Sequence, residues 1–216
     1  MNQNSEKAQY QAKYQPLLGQ CQKLAKEKIG ILLTGMFANA DLTLNEKADG
    51  TDSNAAKGDY FQAMSFLPKQ QDAIEKIFFT QLDKGFSEFW NPSSLTADDS
   101  DISLDSTLSL IEEETMEEAV VTRNISRKGN DRFRGKLHDL GRRLSILNGG
   151  EQITNEEIPA GPGHLVYAFN LSLSSLNTTI SLRKIVLGLF DQYVIQQLFG
   201  MYGQYNRILQ DGGILP

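Results

Sequence analysis

A chain of 216 residues, 40% of them hydrophobic, has enough apolar material for a real core, and a net charge of -6 argues against a general nucleic-acid binder. The single Cys21 excludes an internal disulfide, and no charged, apolar and small-residue leader opens the chain, so a reducing cytoplasm is the expected location. No apolar run approaches the roughly 20 residues of a membrane-spanning helix, which predicts no membrane span.

The first element is an amphipathic helix over Pro16 to Phe37. Leu17, Leu18, Cys21, Leu24, Ala25, Ile29, Leu32, Leu33 and Met36 recur there at helical spacing. Turn formers fill Asn45 to Asn54, and Asp52 or Ser53 is positioned to cap a second helix from Asn54. Tyr60, Phe61, Met64, Phe66 and Leu67 give that helix an apolar face. Pro68 is expected to kink or break it, since proline lacks the backbone donor and crowds the preceding turn. The pattern resumes through Ile74, Ile77, Phe78, Leu82, Phe86, Phe89 and Trp90, and Pro92 ends it.

Residues 91–110 are acidic and turn-rich, and read as a linker or crossover in which Ile102, Leu104, Leu108 and Leu110 alternate as in a short strand. A helix from Ile111 to Arg127, interrupted near Gly129, leads to another from Arg132 to Leu147, which Gly149 and Gly150 stop. A polar turn from Glu151 to Gly163 precedes a helix starting near His164. The last pattern, Ser181 to Gln210, reads as one long helix halted by Gly212 and Gly213. The expected fold class is therefore all-α, an irregular bundle of about six to eight helices with one long C-terminal helix. Residues 1–90 form an N-terminal helical part, 91–110 a linker, and 111–216 a C-terminal helical part packed with the first as one unit.

Charge is distributed unevenly. Residues 91–122 hold nine acidic side chains and no lysine or arginine, whereas 123–150 hold eight basic and two acidic ones. One reading makes Arg123, Arg127, Arg132, Arg134, Arg142 and Arg143, with His164 in the Ala160 to His164 loop, a face for a phosphate, a nucleotide or an acidic partner. The other has the acidic block neutralise the basic one, within a chain or between chains. Nucleic acid is disfavoured, because no aromatics are interleaved with the cations for base stacking.

Chemistry finds little footing. His138 and Asp139 form an isolated pair, His164 is the only other histidine, and Asp98 to Asp105 lack the spacing of a calcium loop. There is no Gly-x-Ser-x-Gly elbow, and nothing marks Cys21 as reactive. The sequence thus predicts no catalytic residue, metal or cofactor. The late aromatics Phe190, Tyr193, Phe199, Tyr202 and Tyr205 spread over more than one helix face, so they belong either to the core or to an interface with another protein or a second copy.

Three segments carry a resemblance: Leu108 to Val121 (LSLIEEETMEEAVV), Gly161 to Phe169 (GPGHLVYAF), and Leu187 to Leu215 with its Phe-Asp-x-x-Val and closing Gly-Ile-Leu-Pro. Together they resemble the uncharacterised proteobacterial family known as domain of unknown function sixteen-thirty-one. The resemblance implies an N-terminal piece of a longer protein, with the remainder of that protein among its partners. Some relatives carry a PilZ domain, which implies a link to cyclic-di-GMP through that separate barrel. Arg123 to Arg127 (RNISR) matches half of a PilZ signature, but no second half follows.

Overall fold

Leu18, Cys21, Ala25, Ile29, Leu33, Met36, Ala40, Leu44 and Ala48 are buried at intervals of three or four residues. This one stripe runs along α1 (Gln3–Asp49) from Leu18 onward, in a helix of 47 residues, about 70 Å at the α-helical rise. The computed structural model describes the backbone of residues 3–90 and 109–215, and the side chains of 9–90 and 116–215. After a short turn the chain returns as α2 (Asn54–Ser87), capped by the Ser53 hydroxyl, which accepts from the Ala56 amide. The Asp83 carboxylate of α2 accepts from Gln22 and from Lys26 of α1, each at 2.8 Å.

Pro68 does not break α2, contrary to the sequence expectation. Ala63 and Leu67 before it and Ile74 and Phe78 after it are all buried. Packing on both sides therefore holds the helix through a residue that costs an isolated helix about 3 kcal/mol. The helix closes earlier than expected, at Ser87, with the Glu88 amide donating to the Lys84 carbonyl.

The next helix, α3 (Ser109–Arg132), runs through Gly129, and the interruption comes at Phe133, where α4 (Arg134–Leu147) begins. Gly129 has a packing role instead. A Cβ there would stand 2.8 Å from the Cβ of Pro162 and 3.1 Å from Cγ2 of Ile195, so the glycine lets α3 press against the start of α5 (Pro162–Ser174).

The long C-terminal pattern also divides. It forms α6 (Ile180–Tyr193) and α7 (Phe199–Asp211), separated by Val194 (φ -114°, ψ -67°) and one 3-10 turn. The corner buries Val194, Ile195 and Leu198, and both flanking helices pack on α1. A continuous rod would carry part of that apolar surface away from the core.

Among the described residues the fold is seven α-helices and no strand. The alternating Ile102, Leu104 and Leu108, together with Pro92 and the aspartates 98 to 105, lie outside the described residues, and Leu110 sits in α3. The core joins both halves of the chain. Phe169 of α5 stacks on Phe190 of α6 with ring centroids 3.9 Å apart, and Phe78 of α2 meets both edge-on. Among the described residues no helix is long and apolar enough to cross a membrane.

Candidate functional site

The entry to α5 is held by side chains. Ala160 has φ 59°, a left-handed conformation unfavourable for a residue with a Cβ, and both its backbone polar groups are satisfied. Its N–H donates to Nδ1 of His164 at 3.0 Å, and its carbonyl accepts from the Tyr202 hydroxyl at 3.0 Å. Because Nδ1 accepts, the imidazole proton belongs on Nε2, which faces the Gln81 carbonyl at 3.3 Å. Burial pushes the His164 pKa down to about 4, so the ring is neutral at ordinary pH. His164 was expected on an anion-binding loop. It is instead 2% exposed, packed against Gly85 of α2, where it fixes the loop that starts α5.

The basic block divides as well. Arg143 is buried and ties α4 to the C-terminal residues, donating to Oδ1 of Asn206 at 2.7 Å and to the Leu215 carbonyl at 3.1 Å. Its guanidinium is therefore enclosed in the fold and does not join an anion-binding surface. Arg134 pairs with Asp131 at 2.7 Å, and Arg132 borders a small cleft with Lys128 and Asp191. Arg142 is exposed on α4, apart from these, as are His138 and Asp139. Arg123 and Arg127 are exposed one turn apart on α3.

The described acidic residues bind elsewhere. Glu118 pairs with Arg183 of α6 at 2.8 Å, with side chains only 11% and 17% exposed, and Glu117 pairs with Lys184 beside it. For these two carboxylates the counter-charges come from α6.

Arg123 and Arg127 open onto a groove of about 520 Å³ between α3 and α5. Ala119, Thr122, Ser126 and Asn130 complete its α3 wall, and Val166, Tyr167 and Asn170 form the α5 wall. Gly129 abuts Pro162 while earlier α3 residues share the groove with later α5 residues, so the two helices run antiparallel. Asp131 and Glu156 therefore stand at the end nearest the start of α5, and the arginines face its middle and far end. Oδ1 of Asn130 and Oδ1 of Asn170 are buried without a hydrogen-bond partner. The volume lies in the range of ligand clefts, and the lining mixes cations, amides, hydroxyls and one aromatic ring.

Exposed apolar side chains lie beside the groove on α3, outside its lining. Met116 and Val120 of α3 are 64% and 54% exposed, one turn apart, and by helical spacing they continue the line of Arg123, Arg127 and Asn130. Among the described residues Ile31, Leu42, Phe61 and Phe199 are also large, apolar and exposed, but no two of these are one turn apart on one helix. Of the aromatics weighed as an interface, Phe190, Tyr202 and Tyr205 are wholly buried, and the half-buried Tyr193 hydrogen-bonds Thr43 at 2.7 Å. Only Phe199 is open, with the Lys136 ammonium 4.3 Å from its ring. Cys21 is equally enclosed, and burial pushes its thiol up to about 12, away from nucleophilic use.

These features define an all-α domain with a polar groove between α3 and α5. The model of the family described as Protein of unknown function (DUF1631) N-terminal domain matches residues 13–213, and the chain belongs to that family. No curated protein and no solved structure is significantly similar to it.

Proposed function

We propose that this chain is a non-catalytic helical interaction module of a bacterial cytoplasmic regulatory protein, and that its working surface is the groove between α3 and α5. The observation that carries the reading is the exposed row Met116, Val120, Arg123 and Arg127 on a helix whose opposite side buries Ile125 and Glu118. A helix built only to close the core has polar residues at its outward heptad positions, whereas an apolar pair one turn apart beside a groove is the pattern of a docking face. Self-association through Phe190, Tyr202 and Tyr205 loses support, because the core already holds them.

A phosphate-bearing small ligand is the second reading, favoured by the two arginines in a groove of ligand size. Asp131 and Glu156 at one end weigh against a ligand charged along its whole length. Any cyclic-di-GMP response would enter through a separate PilZ barrel elsewhere in a longer chain. Oxidative footprinting tests the docking reading. Met116 and Tyr167 are expected to react less inside producing cells than in the purified chain, while Phe61 reacts equally in both. Equal reactivity at all three positions removes the reading.

A further inference from the structure

We infer that the outward face of α1 between Ile31 and Leu42 binds a second copy of this chain, the two helices packing antiparallel about a two-fold axis that passes between Gly35 and Ala38. From Ile29 to Ala40 the helix carries no charged residue, although Lys26, Glu27 and Lys28 precede that stretch and Asp41, Glu46 and Lys47 follow it. The core needs only one side of it, through Ile29, Leu33, Met36 and Ala40. On the other side Ile31 and Leu42 are 62% and 63% exposed, three turns apart, with the exposed Ala38 and the half-buried Gly35 between them. A surface helix that faces only water carries charged and polar residues there. The polar side chains that flank this row turn back onto their own helix. The Thr34 hydroxyl donates to the Gly30 carbonyl at 2.9 Å, and the Asn39 amide donates to the Gly35 carbonyl at 2.7 Å. Covering the face therefore leaves these donors satisfied.

The occupant follows from the order of the residues. Ile31, Gly35, Ala38 and Leu42 are separated by four, three and four positions, the spacing by which one helix presents a seam to another. From either end the seam runs large, small, small, large. In an antiparallel pair Ile31 of each copy lies against Leu42 of the other, and Gly35 against Ala38, so the same patch serves both subunits as an isologous contact requires. A Cβ at Gly35 would meet nothing within 4 Å, which leaves open space in front of it for a second helix to come close. The ends of the seam match in charge as well. Lys28, 3.6 Å from Glu27 of its own helix, comes opposite Asn45 and beside Glu46 of the second copy, so a cation meets a carboxylate at each end. A parallel pair would instead set Lys28 against Lys28. A seam of this length buries less than a standard interface, which places the dimer in the weak, micromolar class. No residue of α3 or α5 belongs to this face, and the inference is independent of the groove.

The test uses the 216-residue chain with one added cysteine, either Ile31→Cys or Leu42→Cys, under mild oxidation; Cys21 is wholly buried and stays out of the reaction. In the antiparallel dimer residue 31 of each copy stands beside residue 42 of the other, and about 16 Å along the helix from its own counterpart, beyond the reach of a disulfide. The expected result is that an equal mixture of the two variants forms covalent dimer at least about fivefold faster than either variant alone. Sedimentation of the parent chain is expected to show a dimer forming over the micromolar range. Ala38→Glu, which sets a charge against Gly35 of the other copy, is expected to stay monomeric with an unchanged melting curve. Covalent dimer from Ile31→Cys alone as fast as from the mixture overturns the antiparallel pairing. A dimer that persists in Ala38→Glu places self-association on another face and overturns the inference. A parent chain that stays monomeric at millimolar concentration, with no mixed disulfide, likewise overturns it and leaves the groove reading untouched.

Discussion

The His164 ring lies against Gly85, so close that a Cβ on that glycine would fall 2.1 Å from Cε1 of the imidazole, and the same ring holds the amide of Ala160. One contact between α2 and α5 thereby sets the loop from which the α5 wall of the groove begins. Gly85→Ala must push the ring away and weaken its hydrogen bond to Ala160. The expected loss is about 1 to 3 kcal/mol, the usual range for overpacking a tight core, seen as a lower midpoint in urea unfolding. A midpoint unchanged from the parent would show that the ring is not wedged as described.

The same histidine makes stability depend on pH. Its folded pKa, about 4, lies below its ordinary value of 6.5, so protonation favours the unfolded chain. Its contribution is complete above pH 6.5 and is lost as pH falls through the window down to about 4. A difference of that size corresponds to at most about 3 kcal/mol. Carboxylates titrate in the same window, so the informative quantity is the stability of the parent minus that of His164→Gln. That difference is expected to shrink steadily from pH 7 to pH 4, and a constant difference would contradict the neutral, buried ring.

The acidic and basic blocks predict opposite responses. Glu118→Ala leaves Arg183 in a largely buried position without its counter-charge, and is expected to cost about 2 kcal/mol or more. Arg127→Ala removes an exposed side chain and is expected to change stability by less than about 0.5 kcal/mol. Urea unfolding of the two variants checks both values. A large loss for Arg127→Ala would mean that the basic stripe is structural and not a docking feature.

The late aromatics separate in the same way. Phe190→Ala is expected to cost about 3 to 5 kcal/mol, since it empties the stack between Phe78 and Phe169, whereas Phe199→Ala is expected to be close to neutral. Comparable losses for the two would contradict their placement.

The helical pattern in the sequence was informative wherever one side of a helix faces the core. The stripe from Leu18 to Met36 and the glycine stops at Gly149, Gly150 and Gly213 appear in the structure as the sequence implies, with all three glycines at positive φ. Pro68 and Val194 were misleading in opposite directions, because tertiary packing carried α2 through a proline and turned the chain at a residue with no local stop signal. The basic residues were visible as a run but not as a surface, since nothing local distinguishes the enclosed Arg143 from the open Arg127. The seam itself was legible in principle. Residues 116, 120, 123, 127 and 130 have heptad spacing, but their mixed chemistry hides them from a hydrophobicity pattern, and Tyr167 and Asn170 join them only through the antiparallel packing of α5 on α3.

Site-specific photo-crosslinking in producing cells most directly tests the α3–α5 groove as the working surface, with the photoreactive residue placed in turn at Val120 and Phe61. Both positions are exposed and apolar, at 54% and 53%, so they start with equal opportunity. The docking account predicts a discrete adduct with another polypeptide from Val120, weakened by Arg123→Glu and Arg127→Glu, and none from Phe61. An adduct from Phe61 with none from Val120 would contradict it.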